Sequence, residues 1–131
     1  MKASELRIGN IVYSQSEVEN GHHLPVLVIG IDTKHITYLS QNHHIHSEIR
    51  PFQVVPDQIY PIPLSKVWLE NMRFLINYNF TIPGSNKIYY FYEDFDILEV
   101  EGTFTYRETK FKYVHQLQNL HFAITGLELN I

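Results

Sequence analysis

The stretch that decides the fold is residues 88–113, IYYFYEDFDILEVEGTFTYRETKFKY. Residues 88–92 and 95–100 are dominated by aromatic and β-branched side chains, which favour strands. Glu101-Gly102 suits a two-residue hairpin turn, after which Thr103–Tyr113 predicts a further strand. An antiparallel sheet therefore occupies this part of the chain.

The two-residue turn pairs Val100 with Thr103 and so sets the register of the hairpin. This register places an acidic strand against a basic one, with Asp96 opposite Arg107 and Glu93 opposite Lys110. Each exposed pair is worth only about 0.2–1 kcal/mol, so such pairs support the register more than the stability.

A helix is predicted over Lys66–Ile76, just before the sheet. Ser65 can cap its free N–H groups, and Leu64 can pack on Leu69 across the cap. The apolar residues of this segment form one stripe, at Trp68, Leu69, Met72, Leu75 and Ile76.

A second helix is predicted over Val114–Ile124, where Gly126 can take the left-handed conformation that ends it. The helical period places one apolar face towards the core, formed by Val114, Leu117, Leu120 and Ile124. The other face carries no charge at neutral pH and consists of His115, Gln118, Asn119 and Phe122.

Two interpretations of this uncharged face stay open. The face is buried, with Gln118 and Asn119 bonding to backbone groups, or it binds a partner protein or a second copy of the chain. Burial is favoured by a small margin. As a binding site, His115, Gln118, Asn119 and Phe122 are the candidate residues.

The first fifty residues predict a β-lobe. Leu6–Tyr13 reads as a strand bent at Gly9-Asn10, and Leu24–Ile31 and His35–Leu39 read as two further strands joined by a turn at Asp32. An opening strand, a loop and then a hairpin is how small SH3-like barrels begin.

Four prolines between Arg50 and Pro63 predict an edge strand or an extended connector, since proline lacks a backbone donor. We therefore expect one compact α+β domain over 1–131. Its sub-lobes are an SH3-like β-lobe over 1–50, a Pro-rich connector over 51–63, and a helix–sheet–helix lobe over 64–131.

Composition excludes several classes of protein. The 131 residues include no cysteine, which rules out disulfide scaffolds, Cys-ligated zinc and thiol catalysis. A formal charge of −4 gives no general attraction to nucleic acid or an anionic membrane. No stretch approaches the length of a membrane span, so we expect a cytoplasmic protein without membrane contact.

Eight histidines raise the question of a metal site. In an extended segment His44 and His46 share a face while His43 points away, so two ligands stand where a site needs three or four. Nothing in the spacing of His22 and His23 requires them to supply further metal ligands. We expect a polar loop here, with no metal and no cofactor.

Two charged patterns suggest chemistry. Asp94 and Asp96 would share a face of a strand, as a carboxylate pair for acid–base catalysis does, but ion pairing across the hairpin is favoured. Aromatic and basic residues alternate as in single-strand nucleic-acid binders, at Tyr106, Arg107, Lys110, Phe111, Lys112 and Tyr113. An ordinary amphipathic strand is favoured over that interface.

Three phrases carry a family resemblance: MKASELRIGN at 1–10, PIPLS at 61–65 with Trp68-Leu69, and YVHQLQNLHFAITG at 113–126. They resemble a family of small uncharacterised proteins from Bacteroidetes genomes and their phages or prophages. The resemblance spans the chain and implies a phage-related origin. It implies no activity, cofactor or catalytic residue.

The sequence therefore predicts a small, non-enzymatic binding or adaptor protein that works through protein contacts, either with a partner or with itself. The first alternative is a nucleic-acid-associated accessory protein that uses the β-lobe and the basic strand. The second is an enzyme acting through His115 or through Asp94 and Asp96.

Overall fold

A computed structural model describes residues 1–15, 24–40 and 51–129. The chain divides into two compact units, Met1–Ile62 and Pro63–Ile131. The described part is a mixed α+β fold with two five-stranded antiparallel sheets and two α-helices. None of its helices is long and apolar enough to cross a membrane.

The first unit holds a curled sheet with strand order β4-β3-β2-β1-β5. Its strands are β1 (Ile11–Ser14), β2 (Val26–Ile31), β3 (Ile36–Ser40), β4 (Pro51–Val54) and β5 (Ile59–Tyr60). The first half of β1 pairs with β2, through Ile11 and Val12, and its second half pairs with β5, through Tyr13 and Ser14. This change of neighbour within one strand curls the sheet.

The predicted opening strand is shorter than expected. Gly9, at φ 100°, bends the chain before β1, and its N–H donates to the carbonyl of Val28. The proline-rich segment forms the two edge strands β4 and β5, joined by a 3-10 turn at Pro56–Gln58. Edge positions suit this segment because proline has no backbone N–H to donate, and an edge strand needs hydrogen bonds to a neighbouring strand on one side only.

An aliphatic core fills the first unit. The residues that form it are apolar, mostly β-branched, and buried: Leu6, Val12, Val26, Val28, Ile36, Tyr38 and Ile59. Met1, Ala3, Ile31 and Val54 pack around it. The turn between β2 and β3 is fixed by Asp32, whose Oδ1 accepts from the N–H groups of Lys34 and His35 at 2.7 and 2.6 Å.

The second unit holds a sheet of order β10-β9-β8-β7-β6, so every pair of neighbours is also adjacent in sequence. Its elements are α1 (Lys66–Asn71), β6 (Leu75–Ile76), β7 (Lys87–Tyr92), β8 (Phe95–Val100), β9 (Thr103–Tyr106), β10 (Thr109–Phe111) and α2 (Val114–Thr125). Aromatic rings dominate its buried face, with Phe74 6.3 Å from Phe95 and Phe104 6.5 Å from Phe111 between ring centroids.

The predicted turn at Glu101-Gly102 and the pairing of Val100 with Thr103 are confirmed. The single strand predicted over Thr103–Tyr113 is wrong, because the chain reverses at Arg107-Glu108 and β10 folds back on β9. Lys110 therefore pairs with Thr105 and not with Glu93, which lies in the turn between β7 and β8.

The first helix begins as predicted, with Ser65 Oγ accepting from the N–H of Trp68 at 3.3 Å. It ends five residues earlier than predicted, because Arg73 takes the left-handed conformation at φ 70°. Leu75 and Ile76 then pair with Phe91 and Tyr90 as strand β6.

The second helix matches its prediction closely and ends at Gly126, at φ 74°. Its buried face is turned from the predicted one: Leu120 is half-buried and Ile124 is exposed, whereas His121 is buried. The rotation follows from packing, because the His121 ring lies edge-on to Phe95 and Tyr92, at 5.0 and 5.8 Å between centroids.

Candidate functional site

The predicted binding face of α2 is largely inside the protein. His115 is 3% exposed and Gln118 is 1% exposed, while Asn119 is half-buried and Phe122 is 37% exposed. The His115 ring stacks on Tyr113 at 5.8 Å. For His115 and Gln118 the structure favours the burial interpretation. A partner contact through Asn119 and Phe122 stays a prediction.

His121 closes the end of the same helix. Its Nδ1 lies 2.9 Å from the carbonyl oxygen of Leu127, an acceptor, so Nδ1 carries the proton and donates. Thr125 Oγ1 lies 3.3 Å from the same nitrogen and donates to the carbonyl of His121. These bonds hold the segment after α2 against the helix, and this histidine is structural.

A larger feature lies on the opposite face of the second sheet, which we call the outward face. Strand β8 alternates strictly, with Phe95 and Ile97 buried while Asp96 is exposed and Leu98 half-buried. The register aligns Tyr89, Leu98 and Thr105 in one row across β7, β8 and β9. These three half-buried side chains form the floor of a groove.

The groove has a volume of about 390 Å³, within the range of pockets that hold a small ligand or a short peptide segment. Its lining is Asn77, Phe80, Tyr89, Tyr90, Asp94, Asp96, Ile97, Leu98, Thr105, Tyr106 and Arg107. A smaller cavity of about 170 Å³ lies near it, between the turn at Glu93-Asp94 and the end of α2.

One end of the groove is charged. Asp94 and Asp96 lie there with Arg107, whose guanidinium carbon is 5.3 Å from the centroid of the Tyr106 ring. Among the residues that the structure describes, none of these three charged groups forms an ion pair within 4.0 Å. The register that pairs Leu98 with Thr105, extended by two residues, brings Asp96 opposite Arg107, but these two side chains do not form the predicted ion pair.

The other end of the groove meets a loop formed by residues 77–86. Backbone N–H groups of Phe80 and Thr81 donate to the carbonyl of Asn77, at 3.2 and 2.9 Å, and the Asn77 side chain accepts from the N–H of Asn79. Thr81 Oγ1 in turn accepts from the N–H of Tyr89 at 2.9 Å. This 77–86 loop is thus tied both to itself and to the sheet.

The 77–86 loop holds large apolar side chains in solvent. Tyr78 is 80% exposed, Phe80 66% and Ile82 70%, and Leu75 on the adjoining strand β6 is 61% exposed. Residues 74–86 include no charged side chain. Monomeric proteins rarely expose large apolar side chains in one contiguous cluster, and such clusters commonly mark interaction surfaces.

None of the predictions made from the sequence concerns this loop. The signal available was the alternation of Tyr78, Phe80 and Ile82 with polar residues, in a stretch that has turn residues at both ends and no charge. Alternation alone predicts a half-buried strand, whereas the structure shows these side chains largely exposed.

The remaining candidates are placed apart. Phe111 is buried and Arg107 lies in a turn, so the predicted alternation of basic and aromatic residues does not form one stacking surface. Asp94 lies in the β7–β8 turn and not in a strand, although it shares the groove with Asp96.

The histidine clusters are not among the described residues. His22, His23, His43, His44 and His46 all fall outside 1–15, 24–40 and 51–129. Within those ranges no three side chains of His, Asp or Glu gather as metal ligands would.

Comparisons of the chain with protein-family models, with curated proteins and with solved structures give no match.

Proposed function

We propose that this protein is a small non-enzymatic binding or adaptor protein that contacts a partner protein through the 77–86 loop. The observation that carries the proposal is the exposure of Tyr78, Phe80 and Ile82, which are 80%, 66% and 70% open to solvent. Burying apolar area is worth about 25 cal/mol per Å², so leaving three large side chains in water has a cost that a bound partner removes.

The composition of the loop supports a protein as the partner. Protein interfaces are enriched in Tyr and Phe and depleted in charge at their centre, and binding loops of antibodies are rich in Tyr, Ser, Gly and Asn. Residues 77–86, NYNFTIPGSN, follow this pattern throughout. The hydrogen bonds that Asn77 and Thr81 accept fix the loop beforehand, which reduces the entropy lost on binding.

The proposal extends to the fold of the first unit and to the origin of the chain. The strand order β4-β3-β2-β1-β5, with a 3-10 turn before β5, supports an SH3-like barrel for the first unit. The family resemblance of the three phrases supports a phage-related origin. A nucleic-acid partner has less support, because the formal charge is −4 and Phe111 is buried.

The test is affinity capture from the native host with three forms of the full chain: wild type, Phe80→Ser and Val67→Ser. Val67 is a matched control, since it is 62% exposed but lies on α1, outside the loop. We expect Phe80→Ser to lose a protein that wild type and Val67→Ser retain. The purified partner should then bind wild type at least tenfold more tightly than Phe80→Ser by calorimetry.

Thermal unfolding of both variants is measured alongside, and both should unfold within a few degrees of wild type. A captured set that Phe80→Ser leaves unchanged would contradict the proposal. So would equal affinities of the purified partner for the two variants.

A further inference from the structure

The groove of the outward face has two chemically different ends. Phe80 and Tyr89 lie at one end, 6.1 Å apart between ring centroids, and Leu98 continues the apolar floor. Asp94 and Asp96 lie at the other end. A ligand that fills the groove therefore meets apolar surface and carboxylates along a single line.

The charged end has an excess of negative charge. Among the described residues that line the groove, Arg107 is the one cation, and its guanidinium is placed over the Tyr106 ring. The turns at Glu93-Asp94 and Arg107-Glu108 join neighbouring strands at the same end of the sheet, which adds Glu93 and Glu108 to that end. The complementary ligand group is a cation.

The spacing along β8 fits an extended peptide. Leu98 and Asp96 are successive outward residues of one strand, so they lie about 7 Å apart. Alternate side chains of any extended peptide have the same spacing and point to the same side. When an apolar side chain of the peptide packs on Leu98 and Tyr89, the peptide side chain two residues further along therefore lies at Asp96.

We propose that this groove binds an extended segment of a partner protein in which an apolar residue is followed, two residues later, by Lys or Arg. The apolar side chain lies between Phe80, Tyr89 and Leu98, and the basic side chain pairs with Asp96 and Asp94. This inference rests on the proposed function, and it names the chemistry of the partner.

The charge distribution decides between partner classes. A nucleic acid would bring its phosphates against Glu93, Asp94, Asp96 and Glu108, and like charges repel. A second copy of this chain would bring the same acidic end against itself. A basic peptide meets neither cost, and its positive side chain faces exposed carboxylates of opposite charge.

The test titrates the full chain, isotope-labelled for NMR, with capped synthetic peptides. The probe is GGFSRGG, and the controls are GGFSEGG and GGASRGG, which remove the positive charge and the apolar side chain in turn. We expect GGFSRGG to shift the amide signals of Tyr89, Leu98 and Thr105. Each control should bind about tenfold more weakly, because GGFSEGG places a carboxylate against Asp94 and Asp96, and GGASRGG lacks the side chain that packs on Leu98 and Tyr89.

Two variants locate the contact. Asp96→Asn should weaken GGFSRGG binding about two- to fivefold, as expected for one exposed ion pair, and reduce its dependence on salt. Glu70→Gln removes an exposed carboxylate on α1, which does not line the groove, and should leave the affinity unchanged. Shifts elsewhere, equal binding of GGFSRGG and GGFSEGG, or no binding up to millimolar concentration would each overturn the inference.

The outcomes separate this inference from the proposed function. Capture that depends on Phe80, together with failure of the basic peptide, keeps the loop as a binding site and removes the peptide. Groove signals that change on dilution of the protein alone would identify a second copy as the occupant and overturn the inference. Peptide binding without loop-dependent capture would instead contradict the role of the 77–86 loop.

Discussion

The two sheets have the same number of strands but use their side chains differently. The first packs short aliphatic residues such as Val12, Val28 and Ile36 inward, and the exposed apolar residues of its unit are scattered along the chain. The second packs aromatic rings inward and gathers exposed apolar residues between Leu75 and Ile82. Within the described residues, the first sheet has its exposed apolar side chains dispersed, whereas the second sheet has a buried aromatic face and an outward face with a groove beside clustered exposed apolar side chains.

The largest effect should separate the two faces of β8. Ile97→Ala should lower the free energy of unfolding by about 2–5 kcal/mol, because Ile97 is 1% exposed and its loss leaves a cavity. Leu98→Ala, on the outward face, should cost less than half as much. Chemical denaturation of the two variants measures the difference, and Ile36→Ala in the first sheet should behave as Ile97→Ala does.

Equal losses for Ile97→Ala and Leu98→Ala would contradict the assignment of faces. Preserved stability in Leu98→Ala with weakened peptide binding would sharpen it.

The second largest expected effect is a pH dependence of the free energy of unfolding that arises in the second sheet. Burial, with the nearby Glu99 carboxylate that accepts from its hydroxyl at 3.3 Å, raises the pKa of Tyr90 from 10 to about 12. The neutral phenol is thus favoured by folding, so its contribution is complete below pH 10 and is lost as the pH rises through 12. The change is on the order of 2–3 kcal/mol.

Denaturation between pH 9 and pH 12 measures this loss. Tyr90→Phe should flatten the dependence on pH, and Glu99→Gln should lower the pKa of Tyr90 and so move the loss to lower pH. An unchanged slope in Tyr90→Phe would show that another group is responsible.

A smaller effect on stability is expected for substitution of a glycine, and its cause differs between the two sheets. Gly102 has φ 84° with open space around it, so Gly102→Ala should cost about 1 kcal/mol through backbone strain alone. Gly102→Asn should cost less, because asparagine tolerates this conformation. Gly30 in the first sheet has no such φ, and an added Cβ would lie 3.3 Å from Thr37 Cβ.

The measurement is thermal unfolding of Gly102→Ala and Gly102→Asn. Recovery in Gly102→Asn but not in Gly102→Ala identifies the strain. Equal losses in both variants would contradict it.

The smallest effect belongs to the first sheet. Hydrogen bonds from the backbone N–H groups of Lys34 and His35, followed by the charge of His35, lower the pKa of Asp32 from 3.8. The contribution of this turn is present above pH 3.8 and is lost as the pH falls through the lowered pKa. NMR titration of the carboxyl group should show the shift, and Asp32→Asn should remove the matching acid dependence of unfolding.

Features that depend on neighbouring residues along the chain were predictable. The turn at Glu101-Gly102, the cap at Ser65 and the helix ended by Gly126 all depend on local chemistry that the residues themselves specify. The α+β class followed from the same signals.

Features that depend on tertiary pairing were not predictable. The apolar stripe of the first helix continues to Ile76, yet pairing of Leu75 and Ile76 with β7 overrides it. Arg107-Glu108 carries no turn signature, and pairing on both sides of it forces the reversal.

The same reason explains the candidate site. His115 and Gln118 are buried and Phe80 is exposed, although nothing in their local sequence distinguishes the two situations. Exposure is a property of what packs over a side chain, which a single sequence does not state.

The consecutive pairing of β6 to β10 also has a consequence for folding kinetics. Each strand of the second sheet meets only its neighbours in sequence, through turns as short as two residues, so contact order is low and hairpins can zip one after another. The first sheet closes only when β5 returns to β1 from the far end of its unit, which costs loop entropy before any contact forms. The sheet that carries the groove should therefore form first during refolding.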